Sequence, residues 1–287
     1  MSTANDDRIV GIAAISHAPY WHLDSVDAMS KAIRRLGDLR GPDVASKITS
    51  RSIFVQPLGA IEQHGPHLPF NTDEVVATAV AEATVEKVGE SLDVWLLPTL
   101  TYTKSNEHAW APGTIWLSAT TMLSVLDDIG RCIARTNGQK LVFLNGHGGN
   151  SALLNVVNRE LRLNYGLQTF TAHPSMPPDQ GGASAASELG MGIHGGTDET
   201  SVMLQLRPDL VEMSKAVRRV PEKIALNKHV RFGGAVSFGW LSNDFSVEGH
   251  IGDPTLATAE LGARMFASAV ENFSEALGEI STFNFGR

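Results

Sequence analysis

Residues 51–73 read RSIFVQPLGAIEQHGPHLPFNTD, and the order of its parts decides the fold. Ile53, Phe54 and Val55 form a short apolar run closed by Pro57 and Gly59, the pattern of a buried strand opening into a loop. Thr72 reads as the N-cap of a helix over residues 73–88, with acidic residues in its first turn. The same order recurs downstream. Strands are predicted at 94–97, 141–144 and 167–172. Helices are predicted at 120–135, where Met122, Leu126, Ile129 and Ile133 share one stripe, after a cap at Asn150, at 197–206 and at 255–277. This alternation predicts an α/β fold, a mostly parallel sheet with helices on both faces. Sites in such sheets form beyond the C-terminal ends of the strands. Upstream, Val26, Met29, Ile33 and Leu36 predict a helix over 23–39, stopped by Gly41-Pro42. Residues 213–250 read as loop.

Composition narrows the function classes. The chain has 287 residues, 23 Lys and Arg against 31 Asp and Glu, and a net charge of −8. That balance argues against binding to nucleic acid or to an anionic membrane surface. An apolar content of 43% with 19% charged residues suits a chain with a large core. One cysteine, Cys132, excludes a disulfide framework and points to a reducing compartment; beside Ile133 it reads as a core residue. The N-terminus lacks the pattern of a secretory signal, and no apolar run reaches the roughly 18 residues of a membrane span. A cytoplasmic globular protein is expected. The expected division is an N-terminal extension with one helix, residues 1–43, followed by a single domain over 44–287.

Three clusters carry candidate chemistry. In the first, Glu62 and His64 lie two apart and share a side in an extended segment, and Asp73 follows at the start of a helix. Singly, each has an ordinary role as a loop or helix-cap residue. Together, after a buried strand, an imidazole and two carboxylates suit Zn²⁺, Mn²⁺ or Fe²⁺. The second cluster, Asn145-Gly146-His147-Gly148-Gly149-Asn150, presents His147 on a sharp turn at another strand end. In the third, His194-Gly195-Gly196-Thr197-Asp198-Glu199-Thr200-Ser201, His194 precedes a helix with Glu199 in its first turn. Thr197 reads as the N-cap. His194 is a candidate proton carrier, and Glu199 a supporting base or an additional metal ligand. A fourth stretch, Ser105-Asn106-Glu107-His108, is placed at the same sheet edge, where Ser105, Glu107 and His108 are candidates for binding substrate or a neighbouring subunit. No G-x-S-x-G elbow, P-loop or Rossmann glycine fingerprint occurs.

Taken together, these motifs resemble the creatininase (creatinine amidohydrolase) family. The segment PLGAIEQHGPHLPFNTD is similar to its first metal-binding segment, NGHGGN to its second, and HGGTDETS with Arg207-Pro208 to its third. Gly252-Asp253-Pro254-Thr255 with Ala257-Thr258 resembles its closing motif. The resemblance spans about residues 44–275 and implies a three-layer α/β/α sandwich with a dinuclear metal site and a bridging water. It implies Glu62, His64, Asp73 and His147 as ligands, Asp73 as the bridge, His194 as the catalytic histidine with Glu199 beside it, and assembly into homo-oligomers, hexamers above all.

Creatininase itself has a glutamate where this chain has Gly149, and tryptophans before the catalytic histidine where this chain has none between Trp116 and Trp240. One or two divalent ions are therefore expected. The expected reaction is attack of metal-activated water on a compact substrate such as a small cyclic amide, other than creatinine. The enzymatic alternatives are a formamide deformylase, a peptide-trimming peptidase and a hydrolase of oxidised inositol rings. The non-enzymatic rival is an oligomer with a purely structural metal site.

Overall fold

The computed structural model describes residues 33–174 and 185–286. The elements are α1 (Gly41–Lys47), β1 (Ile53–Leu58), α2 (Thr72–Leu92), β2 (Val94–Leu96), α3 (Ala119–Ile133), β3 (Lys140–Asn145), α4 (Ser151–Tyr165), β4 (Gln168–Ala172), α5 (Thr197–Leu206), α6 (Glu222–Ala225) and α7 (Ala259–Thr282). The four strands form one sheet in the order β2-β1-β3-β4, and every pairing is parallel.

Both faces of the sheet are covered, so its inner strands are apolar without alternation. Phe54, Leu141 and Phe143 pack with Met122, Leu126, Leu154 and Leu161 of α3 and α4. Ile53, Val55, Val142 and Leu144 point the other way, onto Val80 and Val85 of α2 and Phe273 and Leu277 of α7. The result is a three-layer α/β/α sandwich. Helix α5 joins the second layer through Val202, Met203 and Leu206, packed on Val75, Val76 and Met265. Pro57 is tolerated inside β1 because its missing N–H falls on the flank where β2 has already ended. Its carbonyl there accepts from Leu100 N at 2.9 Å.

Several local expectations are corrected. Of the helix expected over 23–39, residues 23–32 lie outside the described part. Downstream, Arg35 bridges to Leu96 and a single 3₁₀ turn spans Leu36–Asp38. Gly41-Pro42 opens α1 instead of stopping a helix, since proline in the first turn loses no hydrogen bond. The N-cap of α2 is Asn71; the Thr72 hydroxyl donates to Pro69 O. Gly196 precedes α5, and the Thr197 hydroxyl donates to Asp253 O. Asn150 stands at the N-cap of α4, but its side chain binds Lys104 N and Asn145. Residues Pro254–Leu256 form a 3₁₀ turn, and α7 starts later, capped by Thr258. Cys132 is exposed, because the buried stripe of α3 runs through Met122, Leu126, Gly130 and Ile133. Among the described residues, no helix is long and apolar enough to cross a membrane.

Leu154 and Leu163 lie on α4, one buried and the other 78% exposed. Leu154→Ala should destabilise the fold by about 2–5 kcal/mol, read as a lowered denaturation midpoint at unchanged slope. Leu163→Ala should stay within about 0.5 kcal/mol.

Candidate metal centre

Because β1 and β3 run parallel, the loops that follow them leave the sheet at one edge. Glu62 and His64 follow β1, and His147 follows β3. Asp73 sits in the first turn of α2, where the helix dipole favours a negative charge. His194 is held by backbone bonds to Ile251, and Glu199 lies in the first turn of α5. The 3₁₀ turn Asn106–His108 adds Glu107 and His108. Glu62, His64, Asp73, His147 and His194 are all buried.

Three histidines share one arrangement. His64 Nδ1 lies 3.1 Å from Glu62 O, His147 Nε2 lies 3.0 Å from Lys104 O, and His194 Nε2 lies 2.6 Å from Gln63 O. A carbonyl oxygen only accepts, so each of these ring nitrogens carries the proton that it donates. The opposite nitrogens turn to the carboxylates. His64 Nε2 is 3.1 Å from Asp73 Oδ1, His147 Nδ1 is 3.0 Å from Asp73 Oδ2, and His194 Nδ1 is 3.5 Å from Glu62 Oε1. Asp73 thus shows one oxygen to each of two histidines. Glu199 Oε2 stands 3.8 Å from His64 Nε2 and accepts from Gly195 N at 2.6 Å.

At hydrogen-bond distance, a ring nitrogen and a buried carboxylate oxygen need a proton or a metal cation between them. The acidities of His64 and His147, which face Asp73 at 3.1 and 3.0 Å, express this. Burial disfavours a proton on His64, yet Asp73 raises its pKa to about 10. His147 is also raised despite burial, chiefly by Glu62 and Asp73. Asp73 is held far below the usual carboxylate range by His64 and His147, against its own burial. Burial lifts Glu199 to about 7 and drives His194 well below the usual histidine value. Burial opposes the charge on Glu107, but His147 and then Lys104 bring its carboxyl down to about 2.

The residues fit divalent ions. Glu62 Oε1 is buried with no hydrogen-bond partner, and Asp73 Oδ2 meets only His147 Nδ1, a costly state unless a cation meets them. Ligand atoms converge in three groups: Glu62, Asp73 and His147; His64, Asp73 and Glu199; and Glu62, His64 and His194. Nitrogen with oxygen donors suits Zn²⁺, Mn²⁺ or Fe²⁺.

Of the candidate binding residues, Glu107 and His108 line the cavity beside the centre. Ser105 is fully buried behind it, its hydroxyl donating to Glu62 Oε2. The cavity measures about 490 Å³. Ile193, Phe238 and Trp240 also line it, the last two supplied by the stretch that reads as loop. Sequence reasoning missed these, along with Lys104 and Glu188. The buried carboxylate of Glu188 accepts from Asp253 N at 2.7 Å and from Thr197 N at 2.9 Å, tying the His194 segment to the closing motif. A Cβ at Gly192, Gly196 or Gly252 would run into it. No local pattern marks such a residue, since its partners lie up to 65 positions away. Arg207 pairs with Asp209 at 2.6 Å.

Comparison with known proteins bears on this geometry. The family model described as creatininase, creatinine amidohydrolase, matches residues 37–277. The chain is 36% identical over 245 residues to a mycofactocin precursor peptide peptidase of Mycobacterium ulcerans (strain Agy99), covering 83% of this chain and 89% of that protein. Among solved structures it is similar to a manganese form of creatininase (TM-score 0.66, 26% identity, 86% of this chain and 98% of that one). It is also similar to a creatininase variant of Zn-Zn type (TM-score 0.65, 25% identity, 86% and 98%). The chain belongs to the creatininase family.

Proposed function

We propose that this protein is a metal-dependent peptidase, hydrolysing an amide bond within a peptide, in place of the small cyclic amide that the sequence favours. The observation that carries this reading is the 36% identity to a named peptidase over 83% of the chain. The cavity agrees with it: about 490 Å³, lined by the apolar Ile193, Phe238 and Trp240 as well as by the charged centre, accommodates a side chain next to the scissile bond.

In this reading Glu62, Asp73 and His147 would hold one ion, and His64, Asp73 and Glu199 would hold a second. Such ions supply water of lowered pKa and polarise the amide carbonyl. The protein's own groups do the rest. His194 keeps its Nε2–H on Gln63 O, which leaves Nδ1 to receive a proton. Because burial keeps this ring neutral, Nδ1 is free to take the proton of the attacking water. The same proton then goes to the amide nitrogen as the C–N bond breaks, leaving an amine and a carboxylic acid, which ionises by releasing its proton to solvent or to that amine. Glu62 is fixed by Ser105, and Glu199 by Gly195 N.

The test is a hydrolysis screen of the Mn²⁺- or Zn²⁺-loaded protein on linear peptides, formamides, cyclic amides and oxidised inositols. Peptide cleavage is expected. Turnover of cyclic amides with none of peptides overturns the reading. Asp73→Ala should strip both ions and abolish turnover, as measured by elemental analysis. His194→Ala should keep its ions while kcat falls about 10²–10⁴-fold; an unchanged rate removes His194 from proton transfer. In the metal-free protein His64 holds its proton up to about pH 10, so an ion has to displace it. Metal affinity should therefore weaken as pH falls. Calorimetry in buffers of different ionisation enthalpy should read proton release on loading near pH 7.

A further inference from the structure

Gly149 and Glu107 lie 42 positions apart in the chain but occupy one space. A Cβ built on Gly149 would overlap the Glu107 carboxylate and press on His147 Nε2. Glycine is therefore the residue that lets this carboxylate reach the ring. Glu107 Oε1 stands 3.3 Å from His147 Nε2, and Glu107 Oε2 lies 3.1 Å from Lys104 Nζ. The Lys104 main-chain oxygen, 3.0 Å away, meets the same ring nitrogen. Lys104 thus holds His147 twice, once directly and once through Glu107. Glu62 Oε2 is also 3.3 Å from Nε2, but Ser105 donates to it. Glu107 is left as the carboxylate with an oxygen to give to the ring.

We propose that Glu107 is a positioning residue for His147: seated in the space that Gly149 leaves open and neutralised by Lys104, it shares the Nε2–H with the Lys104 main-chain oxygen and so presents Nδ1 to the Glu62–Asp73 half of the centre. A carboxylate on the far nitrogen of a ligating histidine fixes the ring and raises its basicity, and losing it typically costs 10–100-fold in metal affinity. Gly149 is then the condition for this support, not a gap in the centre. The inference rests on the metal-dependent reading above, and it concerns only one of the two ions.

The experiment is titration of the metal-free protein with Mn²⁺, by calorimetry and by competition with a chelator, beside thermal melting of the same samples. The wild-type protein should take up two ions. Glu107→Ala should weaken one of them about 10–100-fold, leaving the other ion unchanged. Glu107→Gln retains an accepting oxygen without the charge and should fall between the two. Gly149→Ala should weaken the same ion. If Gly149→Ala fails to fold, the double variant Gly149→Ala/Glu107→Ala, which removes the overlap with Glu107 and keeps that with His147, should fold and bind this ion no more tightly than Glu107→Ala does. Unchanged affinity for both ions in Glu107→Ala overturns the inference and leaves the metal reading standing. So does loss of both ions together with a lowered melting temperature, which would make Glu107 a fold residue. A wild-type protein that takes up no ion overturns both.

Discussion

A single buried carboxylate organises this protein. Asp73 is 3% exposed, and an ionised group at such depth costs several kcal/mol unless it is met by opposite charge. Here the compensation comes from three places at once. His64 faces one oxygen, His147 faces the other, and the first turn of a 21-residue helix lies around it. Those partners arrive from β1, β3 and α2, so the carboxylate is satisfied only when two parallel strands end at the same edge and the helix returns across them. The sandwich and the centre are in this sense one construction.

That dependence explains what was legible. The inner strands stand out because both of their faces are buried, which leaves unbroken runs such as 53–55 and 141–144. The residues at the centre stand out because consecutive letters hold both the ligand and the turn that aims it. Boundaries were harder. Thr72 and Thr197 have good cap chemistry, yet both hydroxyls donate to carbonyls outside their helices. Cys132 sits beside a buried isoleucine but on the other side of the helix. Pro42 punctuates the chain, and its sign, start or stop, depends on what comes after it.

The least legible parts are those built from distant partners. Phe238 and Trp240 approach the cavity from a stretch with little regular structure, and nothing in its periodicity points to them. Lys104 and Glu107 lie three apart on a loop, but their meaning comes from His147 and Gly149 on another. This division has a chemical logic. Ligand geometry is demanding and stays local, whereas the walls that choose a substrate are assembled from whatever segments border the opening.

Glu188 illustrates a further kind of constraint. Its carboxylate sits against three positions, Gly192, Gly196 and Gly252, each too close for any larger residue. No one of the four can drift alone during evolution: a side chain at any glycine evicts the acid, and a bulkier residue in its place collides with all three. Divergence at this corner must proceed as a coordinated block or not at all, so related chains should inherit the quartet whole or have rebuilt the corner on another plan.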